Sequence, residues 1–355
     1  MEHRAQLGRG LKLTITRLVP PRFRAACILA AVALVGPFGL HAAGLRESAD
    51  PVEVRTVRVG VLRGPTGLGL AHMIEQEPDF ASGVAVEYVV AASPDLLVAK
   101  ILSGEVEIAT LPTNLGATLA ARGVEIGLVA MKMWGVLYVV GPEEVQRWDD
   151  LRGQRIFTIG RNATPDVVFR YLASESGLTV DTEYDLDFRY DQIELTQMMI
   201  ARRVELAVLP EPFVTQVLMR TPGVHVVLDL QEQWRLARGE EAALAQTGLF
   251  MTHDLFGAEP AFVREFLSEF RDSLERTVAN PSAAAQKAAG IGLGLPVEIA
   301  EQAIPRLNIR YADANDAQAA VGDFLSVLFE FSPESVGGSL PDDDFYMYLN
   351  RERSE

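Results

Sequence analysis

Two stretches of this chain, SGEVEIATLPTN (103–114) and ARRVELAVLPEP (201–212), say nearly the same thing. They agree at Val106/Val204, Glu107/Glu205, Ala109/Ala207, Leu111/Leu209 and Pro112/Pro210, all at a spacing of 98 residues. Carried backwards, the spacing sets Ser93 on Asp191, each a suitable helix cap before an amphipathic run, and Thr66 on Thr164, each beside a proline after an apolar run. Val59 and Val61 fall on Phe157 and Ile159. A repeat of this length requires two similar folding units in tandem.

Each unit reads as strand, helix, strand, helix, strand. In the first, TVRVGVL breaks at RGPTG before the periodic LGLAHMIEQ, and VAVEYVV is a second strand. SPDLLVAKILSG then opens on Ser93 as N-cap with Pro94 behind it and closes on Gly104, before the strand VEIATL. Connections this short imply parallel strands with right-handed crossovers. A chain of 355 residues, 48% hydrophobic and 23% charged, has room for two such lobes with their own cores.

Beyond the second unit, AFVREFLSEFRDSLERTVA places Phe262, Val263, Phe266, Leu267, Phe270, Leu274 and Val278 on one helical face. This helix comes too late to serve the second unit and must cover the first, so the chain goes out, crosses over and returns. The expected organisation is lobe 1 from 56–140 plus 247–346, and lobe 2 from 141–246 with the hinge segments.

Residues 1–43 differ from the rest. Arg4, Arg9, Lys12, Arg17, Arg22 and Arg24 against Glu2 give +5, followed by AACILAAVALVGPFGL and the small residues of HAAG. This reads as a secretory signal cleaved near Ala42–Ala43; the alternative, an uncleaved membrane anchor, is disfavoured because the apolar run is short for a span. The rest then carries −21, against −16 for the whole chain. It also loses Cys27, the one cysteine, and with it any disulfide, thiol nucleophile or cysteine metal site. Such acidity disfavours nucleic acid, which is held through basic side chains.

In open parallel sheets ligands gather at the carboxyl ends of strands, where loops and helix N-termini present unpaired N–H groups. Five loops qualify: RGPTG (63–67), AASPD (91–95), PTN (112–114), GRNATP (160–165) and PEPF (210–213). They supply Gly64, Pro65, Thr66, Ser93, Thr113, Asn114, Arg161, Asn162, Ala163, Thr164, Glu211 and Phe213 as candidate ligand contacts, with Trp134 on a neighbouring strand. Glu211, between two prolines, either accepts hydrogen bonds from ligand N–H groups or forms a salt bridge across the cleft. Trp134 and Phe213 either stack on a flat ligand or belong to the core. Thr164 either caps its helix or touches ligand, and Arg161 either holds an anion or is a solvated surface residue. GPTGLG fits neither a P-loop nor the dinucleotide spacing, and His72, His225 and His253 have no metal-ligand spacing. No catalytic constellation, metal site or cofactor is expected.

GPTGLGLAHMIE, SPDLLVAKILSGEVEIATLPTN, WDDLRGQRIFTIGRNATPDVVFRYL, LPEPFVTQVL and GGSLPDDDFY, in that order from Arg58 to Tyr346, resemble ABC-transporter substrate-binding proteins of the nitrate/sulfonate/taurine type, which include thiamine-precursor binders. The resemblance implies a type II periplasmic binding protein fold: two α/β lobes, a central ligand cleft and two hinge crossovers, near Val140 to Glu144 and Leu230 to Thr247. It maps the family's cleft loops onto Gly64 to Thr66, Thr113 to Asn114, Ala163 to Thr164 and Glu211 to Phe213. Arg161 departs from the small or uncharged residue expected there. The cysteine-rich motif of the eukaryotic pyrimidine-synthesising relatives has no counterpart in a cysteine-free mature chain.

The implied protein is a periplasmic, monomeric solute receptor that delivers a small molecule to an ABC permease and its ATPase. Glu211 favours a nitrogen heterocycle such as a thiamine, pyrimidine or flavin precursor; Arg161 and the helix N-termini favour a sulfonate or nitrate. The heterocycle is the expectation taken forward. The alternatives are an enzyme on the same fold and a ligand sensor without transport.

Overall fold

The structure, a computed structural model, describes residues 55–80 and 83–349. The expected signal segment, its expected cleavage site and Cys27 lie outside the described residues. In chain order the strands are β1 (Thr56–Leu62), β2 (Ala85–Ala91), β3 (Ile108–Pro112), β4 (Ile126–Trp134), β5 (Leu137–Pro142), β6 (Arg155–Phe157), β7 (Asp185–Asp187), β8 (Ala207–Pro210), β9 (Val224–Asp229), β10 (Ala245–Thr252) and β11 (Ile309–Asp313). They form a six-stranded sheet, β11-β4-β10-β3-β1-β2, and a five-stranded sheet, β7-β6-β8-β5-β9.

The repeat is realised in three dimensions. β1 lies between β3 and β2, all parallel, and β6 lies between β8 and β7 in the same way. Adding 98 to the Pro94–Leu102 helix gives Gln192–Ile200, which is a helix with those bounds. Adding 98 to Ile126, the first residue of β4, gives Val224, the first of β9.

Both helices begin where the sequence says. The Ser93 hydroxyl accepts from the Leu96 N–H at 3.4 Å. Asp191 accepts from Ile193 and Glu194 at 2.8 Å, and Glu194 reaches back to the Asp191 N–H, a complete capping box. Asp191→Ala is expected to lower stability by about 1 kcal/mol, and Ser93→Ala, with the longer bond, by less. Urea unfolding of the two variants checks the order.

In each sheet the strand that has just arrived from the other runs antiparallel to both of its neighbours. β5 follows the first crossing and lies between β8 and β9; β10 follows the return and lies between β3 and β4. The two crossings run side by side, tied by Gly135 N–H to the Leu244 carbonyl at 2.8 Å. The first crossing is at Gly135–Val136, between β4 and β5, and not at Val140 to Glu144. Leu137–Val140, assigned from sequence to the first lobe, therefore pair in the five-stranded sheet. The reason is that KMWGVLYVVG reads as one apolar strand, whereas Gly135 breaks it with a φ of +48° and packs against Gln231.

The Pro260–Ala279 helix covers the six-stranded sheet with Phe262, Val263, Phe266, Leu267, Phe270 and Leu274, each buried. At about 1.5–3 kcal/mol for each fully buried apolar side chain, this face is a main source of that lobe's stability. Val278, expected on the same face, is instead exposed in the last turn, where Thr277 turns inward. The Ala314–Phe331 helix touches both lobes: it packs on β4, β10 and β11, and it meets the Thr164–Glu175 helix of the other lobe.

Candidate functional site: two facing strand edges

β10 is antiparallel to both β3 and β4, so β1, β2, β3 and β4 all end along one edge of the first sheet. By the same reasoning β6, β7, β8 and β9 end along one edge of the second. Since β4 leaves the first edge and β5 enters at the second after two residues, the two edges confront each other across the hinge. The five loops read from sequence all lie on them.

On the first edge Gly64 adopts a φ of +91°, open to glycine, and its N–H bonds the Leu293 carbonyl at 2.9 Å. Pro65 opens the short Pro65–Leu68 helix, and Thr66 turns its carbonyl inward to accept from the Lys132 ammonium. Ser93, at the end of edge strand β2, is committed to its cap. Thr113 is buried with its hydroxyl 3.7 Å from the Met131 sulfur, so that hydroxyl points into the lobe. Asn114 donates from Nδ2 to the Ser335 carbonyl at 3.2 Å, tying its helix to the Pro333–Val336 turn.

Trp134 is buried beside the hinge. Its indole N–H bonds the Arg310 carbonyl at 2.9 Å, and the Arg310 guanidinium covers its ring at 4.6 Å. One ring face is thus already taken by a cation, at the wall of a cavity also lined by Gln231, Arg235, Glu240 and Asn308.

On the second edge Arg161 is exposed and stacks 4.1 Å over Phe188. It has no carboxylate partner among the described residues. Asn162 takes a left-handed φ of +62°, and its N–H donates to Asp166 at 2.7 Å. Ala163 occupies the N-cap position of the Thr164–Glu175 helix without a side-chain cap, and Thr164 is that helix's first residue. Buried Asp166 in its first turn is held by Arg170 at 2.6 Å. Phe213 is half-buried at the start of the Phe213–Arg220 helix.

Glu211 decides between its two readings. It is buried at the end of β8, and its carboxylate accepts from Arg306 Nε, from the Thr215 hydroxyl at 3.0 Å and from the Thr215 N–H at 3.1 Å. Arg306 lies three residues before the start of β11 on the opposite edge; it also donates to the Thr215 hydroxyl at 2.6 Å, while its carbonyl accepts from Tyr138 at 2.7 Å. The carboxylate is therefore engaged by a guanidinium from the other lobe. Burial raises its pKa, an effect Arg306 and Thr215 only partly offset.

Sequence reasoning missed Lys132, Arg306 and Arg310. Lys132 had a visible signal, being the one charged residue in the fully buried strand IGLVAMKMW. Arg306 had none, because it lies outside the repeat and 95 residues from its partner.

The arrangement of two lobes on paired crossings agrees with known structures. An ABC transporter from Parabacteroides distasonis is 28% identical, with 82% of this chain and 99% of that chain covered and a TM-score of 0.71. The periplasmic aliphatic sulphonate binding protein SsuA from Escherichia coli is 15% identical over 80% of this chain and 90% of that one, with a TM-score of 0.64. The periplasmic nitrate-binding protein NrtA from Synechocystis PCC 6803 is 13% identical over 80% and 84%, with a TM-score of 0.56. No curated protein matches the chain by sequence. The fold is thus the type II periplasmic binding protein fold, with two α/β lobes and a central cleft. The family model NMT1/THI5 like matches residues 80–284, more than half of the chain, and the chain belongs to that family.

Proposed function

We propose that this protein is the exported solute-binding component of an ABC importer, and that it captures a small anion of the sulfonate or nitrate kind between its lobes. The observation that carries the reading is the pair of facing strand edges joined by two adjacent crossings, an arrangement that can shut on a guest by rotation at Gly135–Val136 and Leu244. Closure needs a ligand that touches both edges, because only contacts made in the closed state shift the equilibrium. Structures with this fold include a sulphonate-binding and a nitrate-binding protein, which supports the ligand class. Among the described residues no helix is long and apolar enough to cross a membrane.

The choice of an anion over a heterocycle follows from Glu211. A ligand N–H would have to displace Arg306 to reach that carboxylate. What the edges offer instead are the start of the Thr164–Glu175 helix, which has no side-chain cap, and the Arg161 guanidinium, both of which favour negative charge. A Kd on the order of 1 μM, about 8 kcal/mol, is within reach of such contacts.

A thermal-shift screen of the mature protein tests this. A ligand at 100 times its Kd stabilises by about 2.7 kcal/mol. Taurine, ethanesulfonate or nitrate is expected to raise the melting temperature; a rise with a neutral pyrimidine and none with any anion would reverse the assignment.

A further inference from the structure

Lys132 is an unusual residue for its place. It sits in β4 between Met131 and Met133, three residues before the hinge glycine Gly135, and its side chain is wholly buried. A lysine this deep is ordinarily paired with a carboxylate. Here the ammonium reaches only the carbonyl of Thr66, in the first loop of the cleft, and no carboxylate lies against it among the described residues. Gly69 makes the room, since a Cβ there would strike Leu274 and come within 3.4 Å of the ammonium.

We propose that Lys132 is a positioning and charge-selecting residue of the cleft: its ammonium, held under the Gly64–Thr66 loop, makes the site take an anionic ligand and refuse the neutral analogue. The inference rests on the anion reading above and names the residue behind it. Of the other cations near the two edges, Arg306 is neutralised by Glu211, Arg170 by Asp166 and Arg189 by Asp187, Arg310 lies over the Trp134 ring, and Arg63 and Arg161 stand in solvent. Among these, Lys132 is the buried charge left without an opposite one. In a surrounding of low polarity its field is weakly screened, and a ligand anion in the adjacent loop would be its counter-charge. The Thr66 carbonyl, drawn inward by the same ammonium, is kept from facing that anion.

Burial brings the lysine pKa down to about 7, and burial is the sole cause. The charged residues of the packed elements, His72 and Glu75 on Ala71–Gln76, Arg264, Glu265, Glu269, Arg271, Asp272, Glu275 and Arg276 on Pro260–Ala279, and Arg310 and Asp313 on β11, do not shift it, and β10 carries none. An anion in the cleft favours the protonated form, so binding it draws a proton onto Lys132 near neutral pH.

The test is calorimetric titration of ethanesulfonate, nitrate and the uncharged ethyl methyl sulfone into wild type, Lys132→Met and Lys132→Gln at pH 6.0 and pH 8.5, with melting temperatures measured alongside. Wild type is expected to bind an anion at least tenfold more weakly at pH 8.5 than at pH 6.0 and to bind the sulfone at neither. Lys132→Met is expected to melt no lower than wild type, to lose at least tenfold in anion affinity at pH 6.0, and to lose the pH dependence. Either variant, folded and binding the anion within twofold of wild type, overturns the inference and leaves the function standing. Wild-type affinity that is flat between the two pH values also overturns it, even if neither variant folds. Wild type that binds no anion at either pH removes the anion reading and this inference together.

Discussion

Arg306→Leu is expected to destabilise the protein by about 3–5 kcal/mol, while Glu211→Gln at the same contact is expected to change stability by no more than about 1 kcal/mol in either direction. The asymmetry follows from where the two groups sit. The Glu211 side chain is fully buried and the Arg306 side chain is 31% exposed, so removing the arginine strands a carboxylate, whereas removing the carboxylate's charge leaves a guanidinium that water can reach. The amide oxygen that Glu211→Gln introduces would take the place of Oε1 and still accept from Arg306 and the Thr215 hydroxyl, at the loss of the Thr215 N–H bond to Oε2, one hydrogen bond worth about 1 kcal/mol. Denaturant unfolding of both single variants and the double variant measures the coupling: the double variant is expected to be more stable than Arg306→Leu alone.

Glu211 also predicts a pH signature. Its carboxyl pKa is raised above the ordinary 4.5, with burial the leading cause, so the folded protein holds this proton more tightly than the unfolded chain does. Stability from this group is therefore fully present below the ordinary glutamate range and is lost as pH rises through the raised folded value. Measured against Glu211→Gln, wild type should lose ground as pH climbs from about 4 towards neutral. The variant should bind the ligand with a Kd within about twofold of wild type, since the carboxylate is already engaged.

Trp234→Ala is the other substitution with a large expected effect, about 3–5 kcal/mol. Trp234 lies on the Leu230–Arg238 helix within the return from β9 to β10 and is wholly buried. It packs against Tyr171 of the second lobe at 5.1 Å and against Phe324 of the Ala314–Phe331 helix at 6.1 Å. The cavity would open where both lobes and the closing helix meet, with no one lobe able to collapse into it. Arg238 one turn on pairs with Asp323 of the same closing helix, so the seam has a polar margin that the truncation leaves in place. Leu236→Ala on the same helix, 64% exposed, is the control and should stay within about 0.5 kcal/mol of wild type. Thermal unfolding of the pair reads the difference.

The parts of this fold legible in sequence were those fixed by local chemistry and repeated. Asp191 with Glu194 three residues on marks a helix start wherever it occurs, and the spacing of 98 residues carried that helix to its observed bounds. The strand-end loops were legible for the same reason, since proline and glycine must punctuate them. The first crossing was not legible, because Gly135 interrupts a run that is apolar on both sides and periodicity cannot see a change of sheet. The candidate contacts divide along the same line. Loop positions such as Gly64 to Thr66 and Ala163 to Thr164 stand on the edges, but the direction of a side chain depends on distant partners. Thr113 turns to Met131, Asn114 to Ser335, Trp134 to Arg310 and Glu211 to Arg306, and none of those partners lies in the repeat unit that suggested the site, except Met131.

The most direct measurement is a crystal structure of the mature protein with the anion that stabilises it most. The account predicts that the anionic group sits between the Gly64–Thr66 loop and the Ala163–Thr164 helix start, with the Glu211–Arg306 pair intact beside it. An anion bound outside the two strand edges, or one that has displaced Arg306 from Glu211, would contradict it.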